Sequence, residues 1–253
     1  MYPLASRRQL GGLGQGVGGD LSSAPTAAMG WKAYWSAWDS VAYSDAGTTP
    51  CVANDPIYRG SETLGVVANA YMEQTTLGNR PLYKTGGANG QPYWLFDGSN
   101  DFLASLAASN FLAAGAKVIT LACSIAPDSN NITALGDTTS QYQAIAIYTG
   151  RVIKYYNYSG AAQYSTGQSY SNSVPFVFTV KHVGGNLYDR KNGGAWSAAV
   201  ASGNTGALTR LFGIGTNGST YLPFSFYGAA AANTVSDDNI TLVENYFKQK
   251  LGI

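Results

Sequence analysis

Charge is what this chain has least of. Of its 253 residues, 15 are Lys or Arg and 14 are Asp or Glu, so charged side chains reach 11% and the net charge is +1. Soluble domains usually carry about 25%. No block of Lys or Arg collects anywhere, which argues against a phosphate-tracking surface and a nucleic-acid partner. Glutamate is scarcer still, with only Glu62, Glu73 and Glu244. One histidine, His182, and two cysteines, Cys51 and Cys123, cannot build a His/Cys metal cluster. The cysteines allow at most one disulfide, and Cys123 alternates with Ile119, Leu121 and Ile125, which reads as a buried free thiol. Nowhere do ~18 apolar residues run together, so no membrane insertion is expected. Arg7 and Arg8 lead into no continuous apolar stretch, so no signal peptide is read.

What is present points to β-structure. Apolar residues at 45% can build a core, while 31 glycines and 18 tyrosines favour many strands with many turns. Lys117 to Ala126 alternates cleanly, with Ile119, Leu121, Cys123 and Ile125 on the core side. Trp31, Ala33, Trp35 and Ala37 share one face of a first strand. Residues 39–80 read mostly as loop, with weak strands near Ile57 and Tyr71. Gln141 to Tyr148 and Arg151 to Tyr158 form a hairpin about Thr149-Gly150. Val174 to Val183 is a long strand, and Leu187 to Trp196 folds back over Asn192-Gly193. Leu208 to Ile214 and Leu222 to Tyr227 supply the last strands. One helix closes the chain: Ser236 caps it, Asp237 and Asp238 suit its positive end, and Gly252 stops it. Ile240, Val243, Phe247 and Leu251 fall on one face, expected to pack on the sandwich edge.

The stretch Trp94-Leu95-Phe96-Asp97-Gly98-Ser99-Asn100-Asp101-Phe102-Leu103 reads as two buried strands joined by a tight turn, a hairpin in pattern. Its wording, with Arg80-Pro81-Leu82-Tyr83-Lys84, Gly86-Gly87-Ala88-Asn89-Gly90 and Gln91-Pro92 ahead of it, resembles the signature hairpin of laminin-G-like jelly rolls in the concanavalin A-like lectin/glucanase superfamily. The closing Val243-Glu244-Asn245-Tyr246-Phe247-Lys248-Gln249-Lys250-Leu251-Gly252-Ile253 is similar to the short helix on which such domains end. The resemblance brackets residues 30–253. It implies a two-sheet antiparallel jelly-roll sandwich with a short C-terminal helix. Such domains occur in bacteriophage virion proteins, in glycan-binding modules and in glycanase cores.

Catalytic groups are hard to assemble from the sequence. Glycanases of that superfamily place Glu and Asp along one strand, whereas no strand here carries paired carboxylates. Asp97 and Asp101 read as turn and corner hydrogen-bonders, and His182 as a half-buried strand residue. Cys123 is too apolar in context for a reactive thiolate. The expectation is that the chain is not an enzyme. No cofactor is expected. Calcium alone stays open, with Asp45, Asp55, Asp128, Asp137 and Asp189 as candidates by residue type. Tyr155, Tyr156, Tyr158, Tyr164 and Tyr170 form the candidate binding cluster, since tyrosines beside amides suit a glycan or a polar protein contact.

Residues 1–28 stand apart as a Gly-rich arm, preceding the jelly-roll domain over 29–253. The arm holds too little apolar surface to offset its ordering entropy alone. Tyr2, Leu4, Arg7, Arg8, Leu10 and Leu13 are its anchors, for a partner, a neighbouring copy or its own domain. The whole reads as a non-enzymatic bacteriophage virion structural protein, a capsid decoration or tail-associated. It is made in the host cytoplasm and contacts other virion proteins and copies of itself. The alternatives are a carbohydrate-binding module for a cell-surface glycan, or a divergent glycan hydrolase or lyase.

Overall fold

The computed structural model describes residues 22–68, 70–105, 112, 116–126, 132–137, 144–148, 151–156, 163–164, 167–202, 212–215 and 221–253. The arm anchors Tyr2, Leu4, Arg7, Arg8, Leu10 and Leu13 lie outside them, as do Asp128 and Tyr158. So do the side chains of Asp137, Tyr156 and Tyr164.

In chain order the first strands are β1 (Ala33–Ser36), β2 (Ala42–Tyr43), β3 (Arg59–Gly60), β4 (Met72–Glu73), β5 (Leu82–Lys84), β6 (Tyr93–Asp97) and β7 (Leu103–Ser105). The middle strands are β8 (Lys117–Ile125), β9 (Ile132–Asp137), β10 (Ala144–Tyr148), β11 (Val152–Tyr156) and β12 (Gln163–Tyr164). Then come β13 (Phe176–Val183), β14 (Asn186–Lys191), β15 (Val200–Ala201), β16 (Phe212–Ile214), β17 (Pro223–Ala232) and the helix α1 (Asp237–Leu251). They form two antiparallel sheets. The first runs β15-β14-β13-β8-β17-β6-β5, with β1 also on β17; the second runs β12-β11-β10-β9-β16-β7-β4-β3-β2. The expected all-β sandwich with one C-terminal helix is therefore what the chain forms.

Two apolar layers hold it together. Between the sheets lie Ile119, Leu121, Cys123 and Ile125 of β8, with Trp35, Trp94, Phe96, Phe224 and Phe226. On the outer face of the first sheet, Val118, Ala122, Ala230 and Ala232 meet Ile240, Val243, Phe247 and Leu251 of α1. Strand β8 is thus buried on both faces, which explains its unbroken buried run. The helix covers the sheet face, not the sandwich edge. It can do so because residues 228–232 are Gly and Ala: a methyl group on Gly228 would already lie 3.6 Å from the Phe247 ring. That small-residue run looks unlike a strand in sequence, so β17 extends past the Tyr227 end expected for it.

Three local expectations change. Strands β6 and β7 belong to different sheets, so residues 97–102 make a corner between layers and no hairpin. The turn chemistry itself is as expected: Asp97 Oδ1 accepts from the Ser99 and Asn100 amides at 2.7 and 3.3 Å, and Asp101 Oδ2 accepts from the Asp97 amide at 2.9 Å. Gly98 takes φ +79, and a methyl there would strike the Pro223 ring at 2.7 Å. The hairpin of β13 and β14 turns at Gly184-Gly185, both at positive φ, as a two-residue loop requires. Asn192-Gly193 also turns, but the following chain leaves the sheet so that Trp196 can stack on Lys181 and Arg190, at 4.1 and 4.2 Å. Trp31 precedes β1 and joins the layer under α1, apart from Ala33 and Trp35.

The helix ends as its sequence demands. Ser236 Oγ accepts from the Asn239 amide at 3.3 Å, and Gly252 closes it at φ 72. Its apolar stripe also holds a charged residue, Glu244, 1% exposed. Arg190 Nε donates to Glu244 Oε1 at 2.9 Å and Arg190 Nη2 lies 2.7 Å from Oε2. Residues 22–30 run beside α1: the Ser23 amide donates to Leu242 O at 3.1 Å, and Ser22 Oγ to Gln249 Oε1 at 3.1 Å.

Candidate functional site

Of the tyrosine cluster, the two members whose side chains are described are buried, and those of Tyr156, Tyr158 and Tyr164 lie outside the described residues. Tyr155 is 2% and Tyr170 6% exposed, and both rings belong to the core between the sheets. Tyr170 stacks on Phe176 at 5.9 Å. The backbones of Tyr155 and Tyr164 are in register across β11 and β12, as are those of Tyr156 and Gln163.

The open ground lies elsewhere, on the part of the first sheet that α1 leaves uncovered. Alternation along β6 sends Trp94 and Phe96 inward, so Tyr93, Leu95 and Asp97 face out. Register then sets Leu95 beside Ser225 and Ser225 beside Ser124, with Asp97 beside Pro223. These residues floor a groove of about 410 Å³, walled by Tyr93 and Tyr227. The two rings lie 5.7 Å apart, tilted by 40°. Tyr227 occupies the register shift between Phe226 and Gly228, which turns its side chain outward. Its hydroxyl accepts from the Ala88 amide at 3.0 Å, and Trp38 stacks on its ring at 6.2 Å, so the wall is held from both ends. Gly87 belongs to the same wall: a methyl group there would lie 2.6 Å from Tyr93 Cδ1 and 3.0 Å from the Tyr227 hydroxyl.

The groove's chemistry is aromatic, hydroxylic and acidic. Ser124, Ser173, Ser225 and Asp97 line it, and among the described residues no Lys or Arg does. Burial raises the Tyr227 phenol above its ordinary range, so it stays a neutral hydroxyl. Such a surface can stack a sugar ring and bond its hydroxyls. It offers nothing to a phosphate. The sequence carried the signal in the alternation of residues 93–97, although that stretch is read above as a buried strand and a turn. Tyr227 had no comparable signal, because a bulge is a property of pairing.

The glutamates all have structural partners. Glu62 Oε1 accepts from the Tyr34 and Leu64 amides, both at 2.8 Å, and its Oε2 from the Gly65 amide at 2.7 Å. This satisfies the free edge of β1. Glu73 pairs with Arg59 and Glu244 with Arg190. Asp101 is 5% exposed, and burial pushes its carboxyl up to about 6. His182 is 3% exposed, deeper than expected, on β13 opposite Lys117 and Leu187. Cys51 and Cys123 are free thiols, and burial drives the Cys51 thiol up to about 12. Among the described residues no three His, Cys, Asp or Glu side chains converge as metal ligands. Of the calcium candidates, Asp45 is occupied by its own loop, accepting from the Gly47, Thr48 and Thr49 amides at 2.8–3.1 Å. Asp55 accepts from the Val52 amide, and Asp189 is buried. No helix among the described residues is long and apolar enough to cross a membrane.

No protein-family model and no curated protein matches the chain. Solved structures do resemble it. Domain 4 of a GH43 extracellular arabinanase from Geobacillus stearothermophilus, in complex with arabinotriose, has a TM-score of 0.56 at 10% identity. The match covers 84% of this chain and 97% of that one. A GH54 α-L-arabinofuranosidase soaked with a cyclic sulfate inhibitor has a TM-score of 0.58 at 14% identity, covering 87% of this chain and 62% of that one. An arabinofuranosidase complexed with arabinofuranosyl-α-1,2-xylobiose has 0.54 at 14%, covering 90% and 60%. This chain therefore spans less than two thirds of either arabinofuranosidase. At such identities the likeness establishes the fold: a β-sandwich of the kind carried by carbohydrate-active proteins.

That finding overturns the expectation that the chain is not an enzyme. The expectation rested on the lack of paired carboxylates along one strand, yet structures sharing this fold come from glycoside hydrolases. In a sandwich, carboxylates from separate strands and corners can meet, so spacing within one strand excludes nothing.

Proposed function

We propose that the chain binds a neutral glycan in the Tyr93–Tyr227 groove, and does so as a structural protein of a bacteriophage virion. The observation that carries the glycan reading is the pairing of those two rings with three serine hydroxyls and a carboxylate, without a cation among the described residues. Aromatic faces take the apolar side of a sugar, and hydroxyls take its polar edge. The fold's occurrence in arabinan-active proteins, one of them in complex with arabinotriose, supports pentose chains as the first ligands to try. Calorimetric titration with arabinotriose and xylo-oligosaccharides should give saturable binding that Tyr93→Ala weakens by removing the groove's share. Release of new reducing ends in the same mixtures decides whether a bound chain is also cut. A wild type that binds none of a broad neutral-glycan panel would sink this reading.

The virion half of the proposal rests on the resemblance of the corner and closing-helix sequences to laminin-G-like jelly rolls, which occur in bacteriophage virion proteins among others, and on the composition of the arm. Capsid or tail proteins, and copies of this chain, are then its partners, with a cell-surface glycan as the groove's ligand. Residues 22 and 23 bond α1, so the segment joining the arm lies beside the helix. Deleting residues 2–21 should spare the thermal transition and abolish incorporation into particles. Normal incorporation of the truncated chain would remove the arm from assembly.

A further inference from the structure

The outer face of the second sheet carries a hollow of its own. Ala42, Gly60 and Met72 turn toward the core, where a methyl on Gly60 would sit 2.5 Å from Trp94 Cη2. Their neighbours Tyr43, Arg59 and Glu73, in register across β2, β3 and β4, therefore face outward. Ser61 and Tyr71 lie two residues along and join them. Tyr43, Arg59, Ser61 and Tyr71, with Glu62 and Val67, wall a cavity of about 250 Å³, and Glu73 stands behind Arg59.

We propose that this hollow is a second saccharide site, taking one neutral sugar ring. Arg59 Nε donates to Glu73 Oε1 at 2.5 Å, Nη2 pairs with the same oxygen, and the guanidinium lies 4.1 Å over the Tyr71 ring. Its third nitrogen, Nη1, makes no hydrogen bond among the described residues. Gly47 lets it lie where it does: a methyl group there would be 2.6 Å from Nη1. The site thus offers a fixed donor, a serine hydroxyl and two tyrosine rings. One cation stands against two carboxylates, Glu62 and Glu73, so the local balance is negative and disfavours phosphate, sulfate or uronate. The guanidinium in the wall disfavours a cation. A neutral polyol is what remains, and the volume limits it to a single ring. The hollow lies on the opposite face from α1 and the first groove. The two sites would grip separate chains. Only the ligand class rests on the glycan reading of the groove.

The test resolves the two sites by backbone amide shifts of the full chain titrated with L-arabinose, D-xylose and D-galactose. Val67 and Ala70 should shift on a curve separate from that of Leu95 and Ala126. Tyr43→Ala and Tyr71→Ala should each weaken the Val67 and Ala70 curve by about tenfold or more, as loss of an aromatic anchor does. Both should leave Leu95 and Ala126 unchanged, and Tyr93→Ala should do the reverse. Shifts at Leu95 and Ala126 alone, or shifts at Val67 that survive both substitutions, overturn the second site. Shifts at Val67 and Ala70 alone, lost in both variants, support it and sink the groove. No shift at either place overturns both.

Discussion

Arg190–Glu244 and Arg59–Glu73 are chemically the same pair, placed on opposite outer faces of one sandwich. The first has its side chains 9% and 1% exposed beneath α1; the second has 23% and 5%. Under the helix, Arg190 Nη2 also donates to Thr241 Oγ1 at 2.9 Å, and the Trp196 ring covers the guanidinium at 4.2 Å. On the other face, among the described residues, a tyrosine ring alone stacks on Arg59, and one nitrogen is left over. Closure makes the first pair a clamp between sheet and helix. Partial opening makes the second a wall with a donor to spare.

Removing one partner should therefore hurt unequally. Glu244→Ala strands a guanidinium under the helix, which typically costs about 3–5 kcal/mol. Phe247→Ala empties a fully buried site in the same layer and should cost a similar ~3–5 kcal/mol. Urea midpoints for the two variants should fall together. If Glu244→Ala behaves like a surface change, Arg190 reaches water and the contrast between the faces disappears.

Glu73→Ala should cost less, about 1–3 kcal/mol, because the Arg59 head can turn to solvent while keeping its ring contact. The same variant frees two more guanidinium nitrogens and removes a negative charge from the hollow. Its urea midpoint should lie between those of wild type and Glu244→Ala. A midpoint as low as that of Glu244→Ala would show that Arg59 is as trapped as Arg190.

These positions also show what the sequence could disclose. The α1 stripe was readable from its spacing, its Ser236 cap and its Gly252 stop, since each is local chemistry. Glu244 falls on that stripe, between Ile240 and Phe247, so its burial was implied. Its partner was not, because Arg190 lies 54 residues earlier and only the fold brings it near. The 97–102 corner shows the same limit: Asp and Gly turn chemistry is identical whether the flanking strands pair or part between sheets. Strands β2, β3 and β4 have two residues each, too few for a period to appear, so the hollow they build was invisible. Tyr155 and Tyr170 misled for the opposite reason. Their abundance looked like a surface, and the fold spent them on the core.

A last effect, no larger than that of Glu73→Ala, should come from the corner beside the groove, and it is read from pH. Burial raises the Asp101 carboxyl from 3.8 to about 6, with the Asp97 charge adding to the rise and the bond from the Asp97 amide opposing it. The folded chain thus holds this proton more tightly than the unfolded chain does. Its contribution to stability is fully present below about pH 4 and is lost as pH rises through 6. At about 1.4 kcal/mol per unit, and with the amide bond retained, roughly 1–3 kcal/mol should disappear between pH 4 and 7. Asparagine at 101 keeps an oxygen for the Asp97 amide and cannot ionise. Other carboxylates, such as Asp45, which its loop holds well below the usual range, give slopes of the opposite sign. The decisive quantity is therefore the difference between two unfolding curves. Asp101→Asn should gain on the wild type steadily from pH 4 to 7 and level off above. A difference that stays flat across that range would show that the Asp101 carboxyl is already ionised in the fold, with its charge satisfied at the corner.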